Sequence, residues 1–214
     1  MTEITLYLLT GAVAGLSAGL LGIGGGLIIV PMLFFIFSQQ AVPPEHVMHM
    51  ALATSLATII ITSIASTRAH HKRGAVLWPV VLRLSPAIIA GAWLGAMVAS
   101  ALTSDLLRPL FGVFELSVAV HLLLNYRPAT HSTSISTTRS IAGGTVIGSI
   151  SSIVGIGGGT LTVPFLLWHN INIRNAVASS AACGFPIALA GTATYIVSGW
   201  QVAGLPGYSL GYVN

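Results

Sequence analysis

Two copies of one glycine-rich string are the residues of this chain best suited to chemistry. They span residues 22–26 and 155–159, each reads Gly-Ile-Gly-Gly-Gly, and they lie 133 positions apart. A helix that starts after a glycine break has unpaired backbone N–H groups, which an anion can approach closely because no Cβ intervenes. We therefore predict a small-anion site at the two breaks, built from the backbone of Gly22, Gly24, Gly25, Gly26, Gly155, Gly157, Gly158 and Gly159.

Hydroxyl side chains follow both strings at corresponding positions and are predicted to join this site. They are Thr54 and Ser55 after the first string, and Ser179 and Ser180 after the second. A hydroxyl can donate a hydrogen bond to an oxyanion. A packing role is the alternative: the glycines would only let helices approach one another, and the hydroxyls would only form interhelical hydrogen bonds of about 0.6 kcal/mol each.

The strings are not nucleotide-binding loops. A P-loop ends in Gly-Lys-Ser/Thr, whereas Leu27 and Thr160 follow the glycines here. A Rossmann fingerprint would need a glycine in place of Leu27, within a soluble strand–turn–helix unit. The predicted ligand is therefore a small anion other than a nucleotide, and no cofactor is expected.

Few other residues of the chain suggest chemistry. Glu115 is the one acidic residue inside an apolar run, which makes it a candidate for proton coupling, and an ion pair with Arg108 is the alternative. The seven histidines have no carboxylate or thiol at ligand spacing, so we expect solvated or interfacial histidines and no metal site. Cys183, just before Pro186, is expected to be a small packing residue.

The elements that must position these residues are membrane-spanning helices. The chain is 54% hydrophobic and only 6% charged, whereas a soluble domain carries about 25% charged residues. Uncharged stretches reach the length of about 20 residues that crosses a bilayer. The net charge of +4 comes mostly from short loops, so no nucleic-acid binding is expected. We predict an all-α, polytopic protein of a bacterial-type inner (plasma) membrane, with spanning stretches near residues 4–44, 47–67, 84–104, 140–168 and 175–214.

The repeat extends beyond the glycine strings and divides the chain into two homologous transmembrane units. Residues 11–15 and 144–148 both read Gly-x-x-x-Gly at the same offset, and residues 51–55 match residues 176–180. We place the units at 1–133 and 134–214. The second unit stops before a last two-helix hairpin, so we expect a C-terminally truncated chain.

The basic loops predict the orientation of the helices but leave one alternative open. Arg68, Lys72, Arg73, Arg127 and Arg139 place two loops in the cytoplasm. Arg174 lies on the cytoplasmic side as well only if the two units are inverted. In that arrangement each glycine-broken segment enters the membrane and returns to the same side. A parallel arrangement, in which each broken segment crosses, misplaces only this arginine. The sequence leaves both arrangements open.

The duplicated motif resembles the sulfite exporter TauE/SafE family of membrane transporters. The resemblance covers the whole chain and rests on both glycine strings with their following Val-Pro, on Ala53-Thr-Ser55, on the His-Lys-Arg-Gly loop before Trp78, and on Gly91 with Gly95-Ala96. It implies a helical bundle of two repeats that moves small sulfur-containing anions by secondary transport. The early end of the second unit departs from the family pattern.

These observations together predict a secondary transporter or exporter, and not an enzyme. The expected substrate is a sulfur oxyanion or an organosulfonate such as sulfite, thiosulfate or sulfoacetate, with protons as a candidate co-substrate. An anion channel and a non-transporting truncated membrane protein are the alternatives. An intramembrane enzyme would need a nucleophile with its base, or a metal constellation, and the sequence offers neither. The sequence leaves the oligomeric state open.

Overall fold

A computed structural model of the chain describes residues 11–12, 15–16, 25–40, 42–124 and 136–214. Gly22 and Gly24 of the predicted site lie outside these residues. The described part is built from helices, which confirms the predicted all-α class. Its named helices are α1 (Gly26–Gln39), α2 (Pro44–Lys72), α3 (Trp78–Ala101), α4 (Ser104–Leu123), α5 (Thr137–Ile153), α6 (Gly159–Trp168) and α7 (Ile173–Gly199).

Helices of two lengths make up the bundle. Four of them, α2, α3, α4 and α7, are long and apolar enough to cross a membrane. By contrast, α1 has 14 residues and α6 has 10. At about 1.5 Å per residue these two are roughly 21 and 15 Å long, shorter than the roughly 30 Å hydrocarbon core. Both begin at the last glycine of a string.

The second glycine string ends α5 inside the protein. Gly155 adopts a left-handed conformation with φ of +67°, and the N–H of Ile156 donates to the carbonyl of Ser151 at 2.9 Å. This is the Schellman pattern of a helix C-terminus, which favours glycine because a Cβ would be strained there. Residues 155–158 are buried, so the chain breaks its helix within the bundle.

After this break, α6 runs back alongside α5. Gly143 of α5 faces the ring of Phe165 on α6. Arg139 in the first turn of α5 and His169 just after α6 line the same cavity. The stretch 140–168, which its length predicts as a span, therefore dips in and returns. A prediction from the length of an apolar stretch cannot detect the chain reversal that Gly155 permits.

The charged ends of the helices separate into two faces. Arg174, at the start of α7, donates through Nη2 to the carbonyl of Arg73 at 2.9 Å, which places it on the side where α2 ends. We call this side the basic face. The opposite side, where α2 and α4 begin, carries Glu45 and Asp105 and is called the acidic face. The positive-inside rule assigns the basic face, which holds Arg68, Lys72, Arg73, Arg139 and Arg174, to the cytoplasm.

The long helices α2 and α7 run in opposite directions. Gly191 of α7 packs on Leu56 of α2, and Gly184, about two turns earlier on α7, lies near Ser63, further along α2. Opposite directions of α2 and α7 are what the inverted alternative for the two predicted units requires. The returning α5–α6 hairpin supplies the reversal that an inverted arrangement requires.

Small residues bring α3 and α5 into backbone contact. An added Cβ at Gly148 of α5 would overlap the carbonyl of Ile88 on α3, and one at Gly91 would overlap the carbonyl of Thr145. The hydroxyl of Ser149 donates to the carbonyl of Gly91 at 3.0 Å. In a bilayer, helix association depends on such close packing and on interhelical hydrogen bonds. The glycine-rich faces of α3 and α5 are thus the principal joint between the chain's two halves.

Labelling of single cysteines from one side of the membrane tests the returning hairpin. In a Cys183→Ala background, we expect Tyr208→Cys to react with an impermeant maleimide at the outer face. Lys72→Cys and Ile173→Cys should react only after permeabilisation, because the hairpin returns to the basic face. Labelling of Ile173→Cys from outside, with Tyr208→Cys protected until permeabilisation, would show that the broken segment crosses.

Substitution of Gly148 tests the joint between α3 and α5. Gly148→Leu should destabilise the folded protein by about 1–3 kcal/mol or more, because the new side chain meets backbone atoms that cannot move aside. Gly112→Leu is the matched control, since nothing lies within 4 Å of a Cβ there. Thermal unfolding in detergent provides the measurement, and equal stability of the two variants would contradict the packing described.

Candidate functional site

The start of α1 lies against the second glycine break, just before α6 begins. Gly25 and Gly158 occupy the N-cap positions of α1 and α6, and neither helix receives a hydrogen bond from a capping side chain. Gly26 lies so close to the second break that an added Cβ would be 2.6 Å from Cα of Ile156 and 2.8 Å from the carbonyl oxygen of Gly155. The N-terminus of α1, with its partial positive charge, therefore lies against the turn that leads into α6.

Two of the predicted site glycines have a structural requirement of their own. Gly26 must lack a side chain because the backbone of the other break lies against it. Gly155 combines a positive φ with a close approach to Leu52 of α2, whose Cα would be 2.9 Å from an added Cβ. For these two glycines, packing and backbone conformation explain the residue type without any ligand.

Gly157 and Gly158 are packed less tightly, although both are buried. A Cβ added to Gly157 would have its nearest neighbour, Cγ2 of Ile59, at 3.5 Å, which is an ordinary contact. One added to Gly158 would lie 3.0 Å from Oγ1 of Thr162 and 3.2 Å from the carbonyl oxygen of Ser180. The fold therefore leaves room for a methyl group at Gly157, so packing does not require glycine there.

Ser55 and Ser180 are the predicted hydroxyl residues that lie at the breaks. Ser55, fully buried on α2, donates through Oγ to the carbonyl of Gly155 at 2.7 Å. Ser180 approaches Gly158 through its carbonyl, while its hydroxyl donates to Val177 within its own helix at 2.8 Å. Ser55 thus holds the break in place, and Ser180 lies beside the start of α6.

The other two predicted hydroxyls, Thr54 and Ser179, point to segments outside the breaks. Oγ of Ser179 accepts the N–H of Leu77, just before α3, at 3.0 Å. Oγ1 of Thr54 accepts the N–H of Asn214, in the segment after α7, also at 3.0 Å. Each hydroxyl thus fixes the chain that follows the other long helix, so these two are anchors between α2 and α7 in this structure.

Four buried hydroxyl groups outside the predicted site have no hydrogen-bond partner among the described residues. They are those of Thr67, Ser151, Thr162 and Thr192. Thr162 is completely buried in the first turn of α6, beside Gly158. Ser151 is completely buried near the end of α5. Their position in the sequence could have indicated Ser151 and Thr162, because both lie close to the second string. The repeat could not, because the corresponding positions beside the first string carry no hydroxyl.

Glu115 lies on α4, a helix that contains no residue of either glycine break. It is half-buried on α4, a helix whose exposed side carries leucine and valine side chains. The alternative ion pair with Arg108 does not form: Arg108 lies 3.6 Å from Asp105 and donates to the carbonyl of Pro44. The role of Glu115 in proton coupling stays a prediction.

Two cavities lie away from the glycine strings. One of about 640 Å³ separates α5 from α6 and is mostly apolar, with Arg139 and His169 at one end. The other, of about 400 Å³, opens at the acidic face and is lined by His49, Ser104 and Tyr212 together with residues of the α3–α4 turn. No group of histidine, cysteine, aspartate and glutamate side chains suited to a metal ion occurs in the described ranges.

His49 corrects the expectation that the histidines are solvated or interfacial. Its side chain is only 4% exposed, and Nε2 lies 2.9 Å from the carbonyl oxygen of Leu102. The residue faces inward because α2 begins at Pro44 and continues as a helix, so position 49 falls on the side packed against α4 and the C-terminal segment.

Removal of the Ser55 hydroxyl tests whether the break depends on this bond. Ser55→Ala should lower the free energy of unfolding by about 1–3 kcal/mol, because the buried carbonyl of Gly155 loses its partner. Ser117→Ala serves as the control, since Ser117 makes a similar bond to Phe114 on the exposed side of α4. Equal unfolding temperatures for the two variants would contradict this role.

Comparison with known proteins supports a transport function. The family model described as sulfite exporter TauE/SafE matches residues 7–213. A probable membrane transporter protein of Haemophilus influenzae is 41% identical over 213 residues, which cover 99% of this chain and 81% of that protein. A second, of Methanocaldococcus jannaschii, is 28% identical over 99% of this chain and 78% of its own.

A third relative is the probable membrane transporter protein YunE of Bacillus subtilis, 28% identical over 92% of this chain and 80% of its own length. No solved structure matches this chain. The family match covers almost all of the described residues, and the relatives are named as membrane transporters and not as enzymes. The chain belongs to the sulfite exporter TauE/SafE family of membrane transporters.

Proposed function

We propose that this protein is a secondary transporter of small anions, of the sulfur oxyanion or organosulfonate type, and that it holds the anion at the starts of α1 and α6. One observation carries the proposal: two short helices begin at glycine breaks without side-chain caps, and the start of α1 packs on Gly155 and Ile156 of the second break. Such paired broken helices are typical of substrate sites in transporters with inverted repeats.

The chemistry offered by the breaks suits an oxyanion. The first turn of each helix presents backbone N–H groups without intrahelical partners, and each N-terminus carries the equivalent of roughly half a positive charge. An oxyanion supplies several acceptors for such donors, and the breaks contribute no carboxylate that would repel it. The hydroxyl of Thr162, buried beside Gly158 and without a partner among the described residues, can supply a further donor.

The directions of the two short helices suggest how access could alternate. From the contact between α1 and the second break, α1 leads to the acidic face and α6 leads to the basic face. Gly155, Gly157 and Gly158 are buried, so an anion reaches the breaks only when one of these helices moves away from its neighbours. A motion of α1 would open the acidic face and a motion of α6 the basic face, which is the rocking that inverted repeats permit.

Gly157→Ala is the sharpest test of the site. The added methyl group fits the fold, because its nearest neighbour is an ordinary contact at 3.5 Å. If the backbone at Gly157 binds the anion, the methyl group blocks the approach, and flux should fall at least tenfold, the change that about 1.4 kcal/mol of binding free energy produces. The measurement is uptake of sulfite, thiosulfate and sulfoacetate into proteoliposomes of a bacterial inner-membrane lipid mixture.

Gly112→Ala is the matched control, since it adds the same methyl group on the open side of α4. Both variants should remain monodisperse in detergent and unfold at the wild-type temperature. Full flux in Gly157→Ala would remove this residue from the site and leave packing as the explanation of the glycines. Discrete single-channel currents in planar bilayers would favour the anion channel over the carrier.

A further inference from the structure

The cavity at the acidic face contains a cluster of side chains that the anion site does not use. It has a volume of about 400 Å³ and lies where the start of α2 meets the α3–α4 turn and the segment after α7. Its mouth carries the mostly exposed carboxylates of Glu45 and Asp105. Its inner wall holds three buried side chains, those of His49, Ser104 and Tyr212.

Both ring nitrogens of His49 lie within hydrogen-bond distance of an oxygen atom. Nε2 lies 2.9 Å from the carbonyl oxygen of Leu102, which can only accept, so Nε2 carries a proton. Nδ1 lies 3.3 Å from Oγ of Ser104. The hydroxyl of Ser104 also lies 2.6 Å from the carbonyl oxygen of Glu45. Since that oxygen has no proton to give, Ser104 must donate its own proton to make this shorter bond.

Counting the protons shows which form of His49 satisfies this network. When the Ser104 proton points to Glu45, Oγ can only accept from Nδ1, so both ring nitrogens must be protonated and the ring is an imidazolium. When His49 is neutral, the one Ser104 proton serves either Nδ1 or the carbonyl of Glu45, and one bond is lost. All three hydrogen bonds therefore exist together only in the protonated ring.

The groups around His49 act on its charged form in both directions. From α2 come Glu45 and His46, whose Oε1 and Nε2 are 3.7 Å apart, and from α4 come Asp105 and Arg108. Burial and the nearby His46 oppose a charged ring, whereas the bond to the Leu102 carbonyl favours it. The two carboxylates lie exposed at the mouth, and Arg108 is held by Asp105 at 3.6 Å. Tyr212 stacks on His49 with ring centroids 4.9 Å apart, and burial raises the pKa of its phenol, which keeps Tyr212 neutral.

We propose that His49 is a proton-binding site of this transporter, loaded from the acidic face through this cavity, with Ser104 as the hydroxyl that stabilises the protonated form. The proton comes from water in the cavity and adds to Nδ1, with no other bond made or broken. Proton binding stands on this geometry alone, whereas its coupling to anion transport rests on the function proposed above.

Protonation at His49 can affect the outer side of the bundle because three elements meet there. The ring belongs to α2, its bonds reach Leu102 and Ser104 on the α3–α4 turn, and its stacking partner Tyr212 lies in the segment after α7. The N–H of Tyr212 bonds to the carbonyl of Tyr195 on α7 at 3.3 Å. A proton that completes this network would hold these elements together, and its loss would loosen them.

Histidine NMR tests proton binding without any substrate. In protein labelled with ¹⁵N-histidine in nanodiscs, the ring signals absent from His49→Gln identify His49. We expect these signals to titrate between pH 5 and 8. Ser104→Ala should lower the midpoint by about 0.5–1 pH unit, because it removes a hydrogen bond that favours the charged ring. A His49 that stays neutral down to pH 5, or an unchanged midpoint in Ser104→Ala, would overturn the proposal.

Flux as a function of pH tests the coupling. His49→Gln should lose the pH dependence of anion flux, with less than a twofold change between pH 5.5 and 8. His121→Gln, an exposed histidine on α4, is the matched control and should keep the wild-type profile. A pH dependence lost in Glu115→Gln but kept in His49→Gln would overturn coupling through His49. If no tested anion is transported, the proposed function fails, while the NMR titration still decides proton binding.

Discussion

The structure depends on satisfying the polar backbone where a helix is interrupted inside an apolar bundle. In a bilayer an unpaired N–H or carbonyl costs several kcal/mol, so a broken helix survives only where protein groups replace the lost bonds. Here the Schellman turn at Gly155 pairs Ile156 with Ser151, Ser55 bonds to the carbonyl of Gly155, and the phenol of Tyr195 donates to the carbonyl of Ser152 at 3.2 Å. The start of α1, which lies against this turn, has no side-chain cap.

The glycines of the two strings differ in what they do, although they look alike in sequence. Gly26 and Gly155 allow two backbones to touch, and Gly155 also adopts a left-handed turn. Gly157 has space for a methyl group and does not need to be glycine for the fold. The packing and binding interpretations of the motif are therefore not exclusive. They apply to different positions. Packing does not require glycine at position 157, and this is the argument for a ligand there.

The two long helices at the centre hold each other through corresponding bonds. Thr54 on α2 anchors Asn214 after α7, and Ser179 on α7 anchors Leu77 after α2. A left-handed glycine precedes each anchored residue by three positions, Gly211 in one case and Gly74 in the other. Because α2 and α7 run in opposite directions, these bonds lie toward opposite faces. A motion that loosens one anchor need not loosen the other, which is a mechanical basis for opening one side at a time.

The amino-acid sequence by itself determined the membrane class, the family, the glycine break at residues 155–158 and the approximate positions of α2, α3 and α7. These follow from composition, from apolar length and from motif spacing, all of which are local along the chain. Only the tertiary structure decided that the segment around Gly155 returns, that Arg174 joins Arg73, and that Thr54 and Ser179 are anchors while Ser55 lies at the break. It also placed His49 inside the bundle. A hydroxyl or an imidazole can bond in several ways, and its partner is set by residues distant in sequence that only packing brings within 3 Å.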